Sequence, residues 1–319
     1  MSNKSQNNCK FKSKIGGQAL IEGVMMKGID TSAMAVRLPN GEIDIETWAA
    51  NNGKKAPWYK KTPFVRGIFN FVSSLIEGYK CLSKSADKAM IDDDEEQTKF
   101  ELWLDEKFGE KIVPVVSGIA MILGVALAAF LFMYLPALIC KGLGLVIPIN
   151  RVVKTILEGV IRITIFVVYI AVTALSKDIK RTYEYHGAEH KTIACYEAEL
   201  ELNVENVKKQ TRFHPRCGTS FIFLVLIISI LVSTILPVPW DNVLLRMVCK
   251  LPLIPVIVGI AYEIIRIAGK YDNIATRVIS FPGLQLQRLT TREPDDKEIE
   301  VAIASLLPCI PKDTEDDKW

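Results

Sequence analysis

Several familiar sequence patterns are missing from this chain, and each absence removes a class of site from consideration. No GxGxxG segment offers a dinucleotide loop, no Walker-type loop offers a nucleoside triphosphate site, and no GxSxG segment offers a serine nucleophile. No repeat of solenoid length is present. The formal net charge is only +3, and lysine and arginine are scattered rather than interleaved with aromatic residues in a patch. We therefore expect no nucleic-acid partner.

The features of a secreted protein are also sparse. The chain has 7 cysteines, an odd number without the spacing of a disulfide framework, which indicates a reducing compartment. Residues 1–30 carry lysines but no continuous apolar run, so we expect no cleavable signal peptide. Internal segments are then expected to direct insertion into a membrane.

Long hydrophobic runs, by contrast, are abundant. Hydrophobic residues make up 50% of the chain, which is more than we expect of an ordinary soluble domain. Residues 112–140 and 218–240 carry no charged side chain, and each is longer than the roughly 20 residues that a helix needs to cross a membrane. Residues 154–176 and 251–268 are also predicted to span, although each contains two opposite charges at helical spacing that can partly neutralise each other. These charges are Glu158 with Arg162, and Glu263 with Arg266.

Loop charge orients the four predicted spans in a lipid bilayer. Residues 177–216 hold eight lysines and arginines, whereas the two short connections hold three and two. Because these residues accumulate on the cytoplasmic side, this loop and both termini are expected there. The predicted fold is mainly α: a polytopic membrane protein with about four transmembrane helices, a small N-terminal α+β cytosolic region and a C-terminal amphipathic helix. The predicted domains are residues 1–110, a membrane domain 111–268 that includes the cytosolic His/Cys loop 177–218, and a tail 269–319.

Segments of the N-terminal region permit more than one interpretation. GGQALIEGVMMKG, residues 16–28, is either a strand bounded by flexible turns or a backbone loop that wraps a ligand or a membrane-proximal site. Residues 32–48 predict a β-hairpin around an Asn-Gly turn. Residues 64–82 have apolar side chains at helical spacing, so this helix lies on the membrane surface, docks on the bundle or packs in a core.

The histidines are few and clustered. All three, His186, His190 and His214, lie within 29 residues, and Cys217 follows the last of them. His186 and His190 are four positions apart, so their imidazoles share one face of a helix. With the nitrogen and sulfur of the HPRC segment, they make four ligands of the types that zinc binds. The sequence therefore predicts a divalent metal site, with zinc as the expected ion.

The HGAEH segment also matches the HxxEH arrangement, in which a glutamate beside a metal-binding histidine acts on water as general base. That glutamate is Glu189 here. A structural site closes four protein ligands on the ion, whereas a catalytic site leaves one position open. Three ligands are reached if Cys217 lies outside the coordination sphere, or if Cys217 binds and His214 acts elsewhere. Alternatively, a carboxylate completes the sphere, and the candidates are Glu197, Glu201 and Glu263, the last predicted near the cytoplasmic end of the fourth span.

Several longer motifs resemble one known family. GGQALIEGVMMKG, YHGAEHKTI, HPRCGTSF and FPGLQLQRLTTREPDD resemble, in this order, motifs of the YqhQ family of bacterial integral membrane proteins, over about residues 16–307. The family is described as a domain of unknown function, and sometimes as predicted metal-dependent enzymes. The resemblance therefore implies a multi-pass protein of the bacterial cell membrane and suggests a metal, but implies no reaction. The matching motif positions are His186, Glu189, His190, His214 and Cys217, with Tyr262 and Glu263 in a further family-like element, AYEIIR.

Three hypotheses of function follow. The first is a membrane-embedded metal-dependent hydrolase, with zinc on the three histidines and Glu189 as general base. The second is a non-catalytic scaffold or regulator, in which the loop is a structural zinc clasp or binds a cytosolic partner. The third is a transporter, which four spans without internal repeats disfavour unless the chain forms a homo-oligomer. The alternative to a metal site is that the HxxEH pattern arises by chance. Its histidines then bind only the backbone or lipid headgroups.

Overall fold

A computed structural model of the chain describes residues 9–50, 57–89, 112–146, 150–236 and 242–318. Helices dominate these ranges, beside one small antiparallel sheet near the N-terminus. A mainly helical fold with a small N-terminal α+β part is therefore confirmed. The domain boundary predicted between the N-terminal region and the first span lies outside the described residues.

The sheet has four strands in the order of the chain. They are β1 Gly16–Leu20, β2 Gly23–Lys27, β3 Thr31–Arg37 and β4 Ile43–Ala49, and each pairs antiparallel with the next. Gly41 has a φ of 87° in the turn between β3 and β4, a conformation that glycine adopts without steric cost. The predicted hairpin is thus confirmed, and the GGQALIEGVMMKG segment forms the β1–β2 hairpin.

Eleven α-helices are described, in addition to short 3₁₀ and π-helical turns. Residues 112–146 are helical throughout, and a π-helical turn at Phe130–Tyr134 joins the second and third of these helices. The helices are α1 Val65–Ala89, α2 Ile112–Ala129, α3 Leu135–Val146, α4 Arg151–Thr173, α5 Lys177–Glu197, α6 Val204–Lys208, α7 Gly218–Ile235, α8 Val243–Lys250, α9 Leu253–Lys270, α10 Ile274–Thr290 and α11 Asp296–Leu306.

Several of these helices are long and apolar enough to cross a membrane. Three qualify by length and composition: Gly118–Leu145, Arg151–Thr173 and Gly218–Ile235. A fourth is obtained if α8 and α9, which are bent by 49° relative to each other, count as one span. The described residues therefore contain three or four candidate spans, and the predicted number is reached only with the bent pair.

The chain divides into two compact units. Unit 1 combines Met1–Ile91, Tyr169–Ile228 and Ile254–Trp319, and unit 2 combines Asp92–Val168 and Ser229–Leu253. The sheet and the HGAEH and HPRC segments all belong to unit 1. This unit is built from three stretches that are distant in sequence, so its interior can bring distant side chains together.

The core of unit 1 fixes α5 in place. Helices α5 and α11 pack on the sheet, and they share one cluster of buried side chains with β2 and β3. Asp295 caps α11 in a capping box with Glu298, and α11 is the helix that the sequence predicts in the C-terminal tail. Because burial of apolar area stabilises a fold, this cluster holds the histidine helix against the sheet. Its largest members include Val24, Met26, Tyr185, Ile193, Ile299 and Leu306.

Unit 2 contains the paired charges that were predicted within an apolar segment. Arg162 Nη2 donates to Glu158 Oε1 at 2.8 Å, one helical turn away on α4. Lys250 Nζ donates to the same oxygen at 2.7 Å. Burial of the carboxylate is therefore compensated by ion pairs, as is usual for charges among apolar helices.

Candidate metal centre

Helix α5 carries the first two histidines on successive turns. The rings of His186 and His190 have centroids 4.4 Å apart, as the four-residue spacing predicts. Tyr185 is fully buried on this helix and anchors it in the core. Between the histidines, a Cβ atom on Gly187 would overlap the carbonyl oxygen of Arg292. Only glycine permits this close approach between α5 and the segment that follows α10.

The HPRC segment brings a thiol to these two imidazoles. Cys217 immediately precedes α7, and its Sγ lies 3.2 Å from Nε2 of His186. One donor atom from each of His186, His190 and Cys217 lies within 4.8 Å of the other two. The His190 side chain is 1% exposed and that of His186 is 13% exposed. Two imidazoles and a thiol thus converge in a largely buried site.

Backbone carbonyls orient both imidazole rings. Nδ1 of His186 lies 2.8 Å from the carbonyl oxygen of Thr290, and Nδ1 of His190 lies 2.6 Å from that of Arg212. Because a carbonyl oxygen only accepts, each Nδ1 carries a proton and donates it. When the ring is neutral, its lone pair is on Nε2, the nitrogen available to bind a metal together with the Cys217 sulfur. Metal-binding histidines typically have such an outer hydrogen bond, which fixes their tautomer and ring orientation.

Glu189 provides a buried carboxylate beside the same nitrogens. Its Oε2 is 3.8 Å from Nε2 of His186 and 3.7 Å from Nε2 of His190. Burial raises the pKa of the Glu189 carboxyl above its usual range, although the two histidines and a hydrogen bond from the Gly17 backbone oppose the rise. Glu189 is not one of the three mutually close donors. It therefore flanks the group.

The thiol and the first histidine polarise each other. Burial opposes ionisation of Cys217, yet the neighbouring His186 and His190 hold the pKa of the thiol well below its usual range. Burial likewise favours a neutral His186, but the adjacent Cys217 reverses this and raises the pKa of the imidazole to about 9. Both shifts favour the charge-separated form of the pair, a thiolate beside an imidazolium. Thiolate is the form of cysteine that binds zinc.

His214 lies next to this group but has other partners. Its ring centroid is 5.5 Å from that of His190. Its Nε2 accepts a hydrogen bond from Arg216 at 3.1 Å, and burial together with the Arg216 charge lowers the pKa of His214 to about 4. Its backbone N–H donates to Gln287 at 2.8 Å, and Gln287 donates back to its carbonyl at 2.7 Å. His214 is thus neutral, is held by hydrogen bonds to Arg216 and Gln287, and lies outside the group of three potential ligands.

Glu263 also binds elsewhere in unit 1. Arg66 Nε donates to Glu263 Oε1 at 2.7 Å, and the backbone N–H of Phe64 donates to the same oxygen at 3.0 Å. Glu197, another carboxylate considered as a ligand, forms an ion pair with Arg216. The structure brings together His186, His190, Cys217 and Glu189 from the predicted site, but places His214, Glu263 and Glu197 with other partners.

Comparison with known proteins gives the family of this chain. A family model described as "Protein of unknown function (DUF1385)" matches residues 62–312. The chain belongs to the DUF1385 family. The "Uncharacterized protein YqhQ" of Bacillus subtilis (strain 168) is 35% identical over 292 residues, which are 91% of this chain and 90% of that protein. The predicted relationship to the YqhQ family is therefore confirmed. No solved structure matches significantly.

Sequence reasoning missed the groups that position the DUF1385 ligand candidates. The carbonyls of Thr290 and Arg212 carry no side-chain signal, so no sequence pattern reveals them. Gly17 carries a signal, because two consecutive glycines in a predicted strand suggest close approach by another group. Of the two interpretations of this segment the structure has the strand, and the Gly17 backbone also donates a hydrogen bond to the Glu189 carboxylate.

The two glycines of β1 in this DUF1385 chain are expected to respond differently to replacement by alanine. A Cβ on Gly17 would lie 2.7 Å from Cγ of Glu189 and 2.8 Å from the carbonyl oxygen of Met25, whereas a Cβ on Gly16 meets nothing within 4 Å. We expect Gly17→Ala to lower the free energy of unfolding by about 1–3 kcal/mol and to disturb Glu189. Gly16→Ala should leave the free energy of unfolding nearly unchanged. Thermal unfolding of the purified variants measures this, and equal midpoints for the two variants would contradict the packing described here.

Proposed function

We propose that this DUF1385 protein is a membrane protein that binds a divalent metal, with zinc the best fit, and uses it for hydrolysis. The observation that carries the proposal is the convergence of His186, His190 and Cys217, with both Nδ1 atoms bound to backbone carbonyls. Glu189 beside both Nε2 atoms supports a hydrolytic role. Three protein ligands with a carboxylate beside them are the pattern of a catalytic site, because the fourth position stays open.

The donor set fits the geometry of zinc. Zinc binds imidazole nitrogen at about 2.0–2.1 Å and thiolate at about 2.3 Å, so tetrahedral neighbours lie roughly 3.3–3.6 Å apart. The Cys217–His186 separation of 3.2 Å is close to this spacing. An ion would also replace the His186 proton as the positive charge beside the buried Cys217 thiolate, which is costly without such a partner. Mixed sulfur and nitrogen donors favour zinc over magnesium or calcium, which prefer oxygen.

Glu189 has the properties of a general base in this arrangement. A bound divalent ion would lower the pKa of water and polarise a substrate oxygen. The Glu189 carboxylate, 3.7–3.8 Å from both ligand nitrogens, is placed to accept a proton from a molecule between them. Its raised pKa suits the role, since a base is most effective when its pKa approaches the working pH. His186 and His190, held by their carbonyl partners, orient the site without further rearrangement.

The membrane location rests on the apolar helices. The three candidate spans have mean hydropathies of 2.0–2.4 and largely exposed side chains, which water would solvate poorly. Cys217 immediately precedes α7, one of these candidates. We therefore propose that the metal site lies at the membrane surface, on the cytoplasmic side indicated by loop charge.

A structural clasp is the second candidate function. Two cavities of unit 1, of about 610 and 440 Å³, are lined by none of the four site residues. The candidate ligands also join separate stretches of the chain, with His186 and His190 on α5 and Cys217 before α7. Thr290, at the end of α10, holds the His186 ring in this arrangement. A metal here would cross-link unit 1, as structural zinc does. Glu189 has no essential role in that case.

Substitution of Glu189 by glutamine separates the two candidates. A general base cannot be replaced by an amide, so Glu189→Gln is expected to retain the metal but lose about 10²–10⁴-fold in hydrolysis. The measurement combines metal analysis of the detergent-purified protein with hydrolysis assays on ester, amide and phosphate substrates. Glu263→Gln is the matched control, because it removes a carboxylate of unit 1 that binds Arg66 instead.

Three results of this comparison are informative. Loss of hydrolysis in Glu189→Gln, with full metal content and an active Glu263→Gln control, supports the hydrolase. Unchanged hydrolysis in Glu189→Gln refutes a general-base role. A metal-loaded wild type that hydrolyses none of the substrates, and whose stability falls when the metal is removed, favours the structural clasp.

A further inference from the structure

Helix α1 has its polarity reversed relative to a helix on the surface of a soluble protein. Its buried positions are the small residues Gly67, Gly78, Cys81 and Ser85. Six of its large apolar side chains are exposed, at 38–57%. A helix in water buries its apolar stripe and exposes polar residues, and the reverse leaves a continuous apolar surface uncovered by any described part of the chain. The exposed stripe consists of Phe69, Val72, Leu75, Ile76, Tyr79 and Leu82.

Helix α10 shows the same reversal independently. Its buried face is mostly polar or small, with Thr276, Ser280, Gly283, Gln287 and Thr290 at spacings of three or four residues. The opposite side of this helix is apolar and exposed. That face is formed by Ile274 at 81%, Val278 at 67% and Phe281 at 59% exposure.

Both helices contact the apolar helix α7 within unit 1. The ring of Phe71 on α1 lies 5.6 Å from that of Phe221 near the start of α7. On α10, a Cβ on Gly283 would lie 2.5 Å from Oγ of Ser220 on α7. Helices α1 and α10 therefore pack beside the first turns of a candidate membrane span, with their apolar faces left exposed. An apolar surface beside a span fits lipid, because the same bilayer that covers the span extends over it.

Basic side chains on these faces fit the headgroup region. Lys80 is exposed on α1 one turn beyond Ile76, and Arg288 is exposed on α10 two turns beyond Phe281. Long basic side chains at a membrane surface place their stems on the apolar boundary and their charges among phosphates. An apolar stripe with flanking basic residues is the composition of helices that lie in the membrane interface.

We infer that α1 and α10 are interfacial helices whose exposed apolar faces lie in the boundary between headgroups and acyl chains of a phospholipid leaflet. This inference rests on the membrane location proposed above. It adds a lipid-binding surface of unit 1 to the candidate spans. Because Thr290, the carbonyl partner of His186, ends α10, the surface also brings the metal site to the level of the headgroups. The substrate class that such a site would meet is an amphiphile held in the leaflet.

Photochemical labelling in vesicles of phosphatidylethanolamine and phosphatidylglycerol tests the inference on the full chain. The photoreactive residue p-benzoylphenylalanine replaces Ile76 on α1 or Val278 on α10. Leu123, 64% exposed on the candidate span α2, is the control for membrane insertion. Leu307, with 54% exposure against 53% for Ile76, is the matched apolar control away from both helices. The readout is a mass increase equal to one phospholipid after illumination.

We expect phospholipid adducts at positions 76, 278 and 123 and none at 307. Adducts at 123 without adducts at 76 and 278 overturn the inference and leave the membrane location intact. Equal adduct yields at 307 and 76 also overturn it, because labelling would then follow exposure alone. Crosslinks from 76 or 278 to a second copy of the chain assign the faces to a protein interface and refute the lipid surface. A lack of adducts at all four positions refutes the membrane location itself.

Discussion

A His190→Ala variant is expected to lose its bound metal, whereas a His214→Gln variant should keep it. The two histidines are only 24 residues apart in sequence, but only His190 belongs to the group of donors within 4.8 Å of one another. Removal of one ligand from a three-ligand site should cost more affinity than the about 10- to 100-fold that loss of an outer partner costs. Elemental analysis of the detergent-purified variants, beside wild type, measures the result.

A second ligand variant guards against a folding artefact in this comparison. His190 is fully buried, so its replacement by alanine removes packing as well as a ligand. Cys217→Ala removes only the sulfur and should also lose the metal. If His190→Ala and Cys217→Ala keep wild-type metal content, or if His214→Gln loses it while they do not, the assignment of the three donors is wrong.

The second large effect is expected for Gly187→Ala. Replacement of a glycine inside a helix by alanine usually raises the stability of the helix by up to about 1 kcal/mol. Here a Cβ would overlap the Arg292 carbonyl oxygen, and this segment is held to α5 by a 2.8 Å hydrogen bond from the Arg292 N–H to the Tyr183 carbonyl. We therefore expect a loss of about 3 kcal/mol or more in the free energy of unfolding. The displaced segment also carries Thr290, so metal binding should weaken as well.

Gly124→Ala is the control for this substitution. Gly124 lies in α2, and a Cβ there meets nothing within 4 Å. Its replacement should leave the thermal midpoint unchanged or raise it, because only the helix propensity changes. A Gly187→Ala protein with a midpoint equal to or above that of wild type would contradict the close packing of α5 against the segment after α10.

The sequence predicted those features whose signal is local. Uncharged runs identify α2 and α7 as candidate spans, the Asn-Gly turn identifies the β3–β4 hairpin, and four-residue spacing places His186 and His190 on one helix face. The prediction that Cys217 lies beside them is less direct, because it rests only on the closeness of Cys217 to His214 in the chain. Such patterns depend on neighbouring residues, so a single sequence contains them.

The remainder depends on contacts between distant residues. Sequence spacing gives His214 and Cys217 equal standing, but in the fold Arg216 and Gln287 hold His214 outside the group. Glu263 was expected near the site because of its place on the fourth predicted span, whereas Arg66 on α1 binds its carboxylate. Gln287 is 73 residues from His214 and Arg66 is 197 residues from Glu263, so no local pattern reveals these partners. The spacing of apolar residues in α1 predicts a helix with one apolar face, but only the structure shows that much of this face is exposed.

X-ray absorption spectroscopy at the metal edge, on wild-type protein purified without added metal, tests the central claim most directly. The account predicts about one zinc-class ion per chain, with one sulfur neighbour at about 2.3 Å and imidazole nitrogens at about 2.0–2.1 Å. Sulfur is the decisive scatterer, because it requires Cys217 in the coordination sphere with the histidines. Less than about a tenth of an equivalent of metal, or a bound metal without a sulfur neighbour, would contradict the proposed site.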